Sequence, residues 1–131
     1  MVKYNFKKSS NIAETISLLI YRNGTADLFA IDINWIEDGT QEYSNTGGEV
    51  FLFADKESAI EAYNTILSNV EVDDYSIFDI SVACYNIDAD SIETPVTDEA
   101  LSEYYAMNMD SSNEFMSKRI LGKSLYYGII M

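Results

Sequence analysis

Between Thr25 and Ile36 apolar and polar residues alternate: Phe29, Ile31, Ile33 and Trp35 fall on one side, Asp32 and Asn34 on the other. A period of two is that of a β-strand, whose successive side chains point to opposite faces. One face of this strand is therefore core, and the other is at least partly wet. From Tyr75 to Ile87 the pattern repeats, with Phe78, Ile80, Val82 and Cys84 set against Asp79, Ser81, Ala83 and Tyr85. Trp35 and Phe78 are expected to lie buried on a shared sheet, each on the apolar side of its strand. Val50 to Ala54 (VFLFA) reads as a short buried strand, and Leu125 to Ile130 (LYYGII) as a final one.

Upstream, Ala13 to Arg22 (AETISLLIYR) is rich in β-formers and runs into Asn23-Gly24. That dipeptide suits a type I′ hairpin turn, in which both central residues need positive φ. It predicts a hairpin whose first strand is Ala13 to Arg22. Glu37 to Gly48 (EDGTQEYSNTGG) reads as a polar, glycine-rich loop.

Elsewhere the period changes to that of a helix. Ala59, Ile60, Tyr63, Ile66, Leu67 and Val70 share one face of a helix running to about Asn69. Asp55 is placed to cap it, its carboxylate accepting a first-turn N–H. Val72-Asp73-Asp74 reads as a turn and Asp88 to Pro95 as a loop. Thr97 caps a helix that starts with Asp98 and Glu99, acids suited to the positive end of the helix dipole. Ser111 and Glu114 have capping-box spacing, predicting a last short helix that Gly122 ends. The sum is a single acidic α+β domain over residues 1–131. Its sheet is mainly antiparallel, of about five to six strands, with two to three helices packed on one face.

Composition adds bounds. The 131 residues, 47% of them hydrophobic, suffice for a core without staples. Cys84 is the single cysteine, so no internal disulfide forms. Its place on the apolar side of a strand reads as a buried, inert thiol. No apolar run reaches signal-peptide or membrane-span length, which predicts a cytoplasmic protein.

Charge changes the picture most. The net charge is −14, unevenly spread. Residues 1–22 carry four bases against Glu14, residues 118–131 carry three bases and no acid, and the stretch between holds 21 acids against Lys56. From Glu57 to Ser117 there are 14 acids and no base. Such a chain is repelled by nucleic acid and by anionic membranes and attracted to basic surfaces.

Candidate chemistry is sparse. Histidine is absent, which removes the commonest general base and metal ligand. One Cys and no His cannot make an ordinary zinc site. Asp88 to Glu93 (DADSIE) departs from an EF-hand loop, with Ile92 at the fifth position and no central glycine. Gly47-Gly48 lacks the lysine of a phosphate loop. With 22 acids, chance alone brings some carboxylates together, and nothing selects a glycosidase-like pair. The reading is of a non-enzyme with no cofactor and no metal. Ten tyrosines, including the pairs Tyr104-Tyr105 and Tyr126-Tyr127, suit a protein interface as well as core edges.

In size, acidity and lack of motifs the chain resembles small inhibitors encoded by phages and mobile elements, of the anti-CRISPR and anti-restriction kinds. It is similar in character to bacterial immunity proteins that neutralise basic nucleases. The resemblance is one of composition and assigns no residue a role. With the base-free acidic stretch, it points to an inhibitor that presents carboxylates to a basic, nucleic-acid-binding groove of a partner protein, such as a nucleic-acid-handling enzyme or a defence complex. The residues expected to make that contact are Asp73, Asp74, Asp88, Asp90, Glu93, Asp98, Glu99, Glu103, Asp110 and Glu114. The alternative is an interaction or immunity-type accessory domain without nucleic-acid mimicry.

Overall fold

The computed structural model describes residues 11–37, 46–70, 75–109 and 113–121. In chain order the elements are α1 (Ile12–Asn23), β1 (Thr25–Glu37), β2 (Thr46–Phe53), α2 (Lys56–Asn69), β3 (Tyr75–Asp88), α3 (Asp98–Asn108) and β4 (Asn113–Leu121). The strands form one antiparallel sheet in the order β2-β1-β3-β4. The class is α+β. Four strands lie among the described residues, rather than five to six. The expected strand Leu125–Ile130 and the Val72–Asp74 turn lie outside them, as do residues 38–45 of the expected loop.

β1 and β3 are the long central strands. Their register sets Trp35 opposite Phe78 and Ile33 opposite Ile80, all buried. This side of the sheet carries α2, which contributes Ala59, Ala62, Tyr63 and Ile66 to the core. Asp55 caps α2 as its sequence predicts, accepting the Ser58 N–H at 2.9 Å. Met116 and Ile120 of β4 extend the same core.

Helices cover both faces, which corrects the expectation of one. On the second face α1 and α3 pack Ile16, Ile20 and Leu101 against Ala26, Leu28 and Ala30 of β1 and Ala83, Tyr85 and Ile87 of β3. Leu28 to Ile31 and Val82 to Tyr85 are apolar on both sides of the sheet, so both sides must be covered. The coverage ends where β1 turns to Asp32 and Asn34, and β3 to Asp79 and Ser81. The antiparallel register puts those four side by side: Asp32 faces Ser81, and Asn34 faces Asp79.

Residues 13–22 are helical, not a hairpin strand. Ile12, Ile16 and Ile20 recur every four residues, which presents one stripe to the sheet. Asn-Gly here ends a helix. Gly24 sits in the left-handed region at φ 79°, and its N–H reaches the Ile20 carbonyl at 2.8 Å. A helix C-terminus and a type I′ turn both need positive φ, so the dipeptide alone cannot separate them. A Cβ at Gly24 would meet nothing within 4 Å, so the cost of replacing it is conformational. Gly24→Val is expected to lose about 1–2 kcal/mol in a urea melt. Gly24→Asn, which tolerates this conformation, should lose less.

Two further expectations fail. Thr46 to Gly48 belong to β2, extended by pairing with Ile36, Trp35 and Asn34 rather than looping. Glu114 to Leu121 form a strand rather than a capped helix. β3 offers a sheet edge, and Met116 and Ile120 fill its apolar side, a burial that outweighs the local capping signal. The ladder shifts register between Val82 and Ala83, leaving Phe115 as the extra residue. Its ring meets Phe29 edge-on at 6.2 Å, and the Lys56 ammonium lies 5.1 Å from its centre.

Candidate functional site

Two surfaces share the α1–α3 side of the sheet. The first is built on α3 and the loop before it. Thr97 caps the helix, its hydroxyl accepting the Ala100 N–H at 3.1 Å. Leu101 is buried beneath, so Glu99, Ser102, Glu103, Ala106 and Met107 face outward. Glu99 and Glu103, four apart, stand in one row, which Met107, 84% exposed, continues. The loop is pinned at several points. Ile92 and Val96 are buried, the Ala89 N–H bonds the Gly24 carbonyl at 3.0 Å, and the Val96 N–H bonds the Ser17 hydroxyl at 2.7 Å. Pinning these residues leaves Asp88, Asp90, Glu93 and Asp98 exposed.

Six of the ten expected contact residues thus lie in one layer: Asp88, Asp90, Glu93, Asp98, Glu99 and Glu103. None makes an ion pair among the described residues. Glu14 of α1 joins them, lining a groove with Asp98. The described base in this layer is Arg22, in the last turn of α1. Asp73, Asp74 and Asp110 lie outside the described residues.

Glu114 belongs to the second surface, the uncovered half of the sheet. There Asp32, Asn34, Asp79, Ser81, Glu114, Ser117 and Arg119 line an open groove of about 350 Å³. Arg119 grips Asp79 with two bonds, Nε to Oδ1 at 2.7 Å and Nη2 to Oδ2 at 3.1 Å. That pairing cancels its charge locally and holds the guanidinium protonated even more firmly than usual. Asp32 accepts from the Tyr105 hydroxyl and from the Asn34 amide, each at 3.3 Å. Tyr104 and Tyr105 both set their rings edge-on to Tyr85. Lys118 lines the groove as well, so Asp32 and Glu114 leave it one charge negative.

Sequence reading missed this groove, yet a signal exists. The second face of β1 runs Ala26, Leu28, Ala30, Asp32, Asn34, and that of β3 runs Asp79, Ser81, Ala83, Tyr85, Ile87. Antiparallel pairing superimposes the two apolar halves and the two polar halves, marking where helix cover stops.

Tyr105 is pushed well above the usual tyrosine range, first by burial, then by the charge of Asp32 beside it. Burial also raises Tyr104 and Tyr63. A raised tyrosine favours the neutral ring in the fold. Below about pH 10 the unfolded tyrosines are neutral too, and the full contribution is present. Above it the unfolded chain releases protons that the fold retains, so stability falls as pH rises. Tyr105→Phe should flatten that alkaline loss in melts taken across the range.

Cys84 is partly buried against the α2-side core. Burial raises its thiol, Asp27 adds to the rise, and Lys56 opposes it. The thiol therefore stays protonated and weakly nucleophilic at neutral pH. Among the described residues no group of three or more Cys, Asp or Glu side chains is placed to hold a metal ion. Zinc, calcium or EDTA should accordingly leave the melting temperature unchanged; a rise that follows metal concentration would reveal a site. No described helix is long and apolar enough to cross a membrane. No family model, curated protein or solved structure matches the chain.

Proposed function

We propose that this protein is a non-enzymatic, stoichiometric inhibitor that binds a basic groove of a nucleic-acid-handling protein through the acidic layer of α3 and its preceding loop. A phage or mobile-element anti-defence role, of the anti-CRISPR or anti-restriction type, fits that chemistry. The observation that carries the reading is that Asp88, Asp90, Glu93, Asp98, Glu99 and Glu103, on α3 and the segment leading into it, are all exposed and without ion pairs among the described residues. Each of these acids is held by an ordered element rather than clustered by sequence alone. DNA carries one charge per ~1.7 Å of axis, so proteins that hold it line their channels with lysine and arginine. Carboxylates presented on a packed helix and a pinned loop can occupy such a channel and exclude the nucleic acid. They also leave the protein without affinity of its own for nucleic acid.

The repulsion between Glu99 and Glu103 is a small stability cost that a basic partner relieves. Opposite charges speed encounter by roughly 10-fold to 1,000-fold, an advantage lost as salt rises. A partner is captured from host lysate, identified by mass spectrometry and purified, and its association rate is then measured against ionic strength. The rate should fall steeply with salt. Glu99→Lys with Glu103→Lys should lower it at least about tenfold while the melting temperature holds, because both side chains are exposed. A rate indifferent to salt and to both reversals would overturn the reading. An accessory interaction domain without mimicry, docking through tyrosine and apolar contacts, would then be the better account.

A further inference from the structure

Acids alone steer a partner but give little grip, because exposed charges keep most of their water. Tight interfaces add an apolar anchor seated in a pocket and ringed by polar groups. On α1, Leu18 and Tyr21 are 48% and 87% exposed, on the outward side of the helix whose inner side buries Ile16 and Ile20. Leu18 and Tyr21 are three apart and therefore neighbours on the helix. They line a groove of about 410 Å³ with Ser17, Thr94 and Pro95. Single exposed apolar residues are ordinary, but two sharing a concave surface with a proline are a patch.

That groove is continuous with the one between α1 and the start of α3, of about 380 Å³, since Glu14, Ser17 and Pro95 line both. Asp98 lines the second groove, and Glu93 precedes Thr94 in the chain. The floor is fixed by the 2.7 Å bond from the Val96 N–H to the Ser17 hydroxyl. An apolar slot with Glu14 at its rim and Asp98 in the adjoining groove, against Arg22 next to Tyr21 in the chain, is complementary to an apolar side chain flanked by bases. Its volume falls within the usual range of ligand pockets.

We propose that the Leu18–Tyr21–Pro95 groove is the anchor site for the basic partner, taking a tryptophan- or leucine-bearing segment flanked by lysine or arginine. This rests on the reading that the partner is basic, and goes beyond it by naming where the grip lies. The occupant is a protein segment and not nucleic acid, which carries the wrong charge for Glu14 and Asp98.

Two synthetic peptides test it on the whole chain: Lys-Arg-Trp-Leu-Arg-Lys, and the same peptide with serine and glycine in place of tryptophan and leucine. Amide chemical shifts are followed by NMR while each is titrated. The apolar peptide should bind at least about tenfold more tightly. Its largest shifts should fall on Leu18, Tyr21 and Thr94. Leu18→Ser with Tyr21→Ser should bring its affinity down to that of the serine-glycine peptide. Equal affinity of the two peptides for the unaltered protein, lost in salt, would overturn the anchor and leave the electrostatic reading standing. Binding of neither peptide would overturn both. Tight binding with shifts confined to the Asp32–Arg119 groove would overturn the anchor by placing it elsewhere.

Discussion

Phe78→Ala is expected to cost about 3–5 kcal/mol in a denaturant melt. Its ring is 1% exposed and lies directly opposite Trp35 across the centre of the sheet. Tyr63 and Ile66 of α2 belong to the same core. No one of these neighbours can collapse into the vacated space without pulling a strand or helix from register, so a cavity remains and adds to the lost transfer energy. Domains of this size are stable by only about 5–15 kcal/mol, so the variant is expected to lose a large part of its margin. A loss below about 1 kcal/mol would mean that the strand register is different.

Leu28→Ala probes the other face and should cost about 2–5 kcal/mol. Leu28 is fully buried, with Ile16 and Ile20 of α1 and Leu101 of α3 in its core. A sheet covered on one side only would leave Leu28 in water, and its truncation would then be nearly silent. The two substitutions sit on opposite faces of the sheet. Their effects should add within about 0.5 kcal/mol, because the two cores are separate clusters.

The central strands were legible because alternation over a dozen residues is a strong signal, and because Phe78, Ile80, Val82 and Ile31, Ile33, Trp35 agree on one face. The caps Asp55 and Thr97 were legible because a capping bond is local chemistry between residues three apart. Three features were not. Asn23-Gly24 serves two structures that need the same backbone conformation, and the choice was made by Ile16 and Ile20 meeting the sheet. Glu114 to Leu121 became a strand because β3 had an edge to offer, a fact that no local window contains. The helices took both faces because Ala26, Leu28 and Ala30 are apolar opposite Ala83, Tyr85 and Ile87, a match visible only once the register is known.

The placement of the acidic residues in the fold follows the same rule. Asp98, Glu99 and Glu103 followed from the predicted helix, and Asp88, Asp90 and Glu93 from the predicted loop. Glu114 changed neighbours when its helix became a strand, and it now stands near Asp32 and Asp79 in the sheet groove. A strand over residues 13–22 puts alternate side chains on opposite faces, so the neighbourhood of Glu14, Leu18 and Tyr21 emerges only with the helix.

Competition with nucleic acid tests the central claim most directly. The captured partner is held on immobilised protein, and duplex or single-stranded nucleic acid is titrated against it, with the Glu99→Lys, Glu103→Lys variant alongside. The account predicts that nucleic acid displaces the partner from the unaltered protein in proportion to its own affinity for the partner, that the protein itself retains none of the nucleic acid, and that the variant holds the partner weakly from the start. A partner that binds nucleic acid and this protein together, and is held equally by both forms of it, would contradict it.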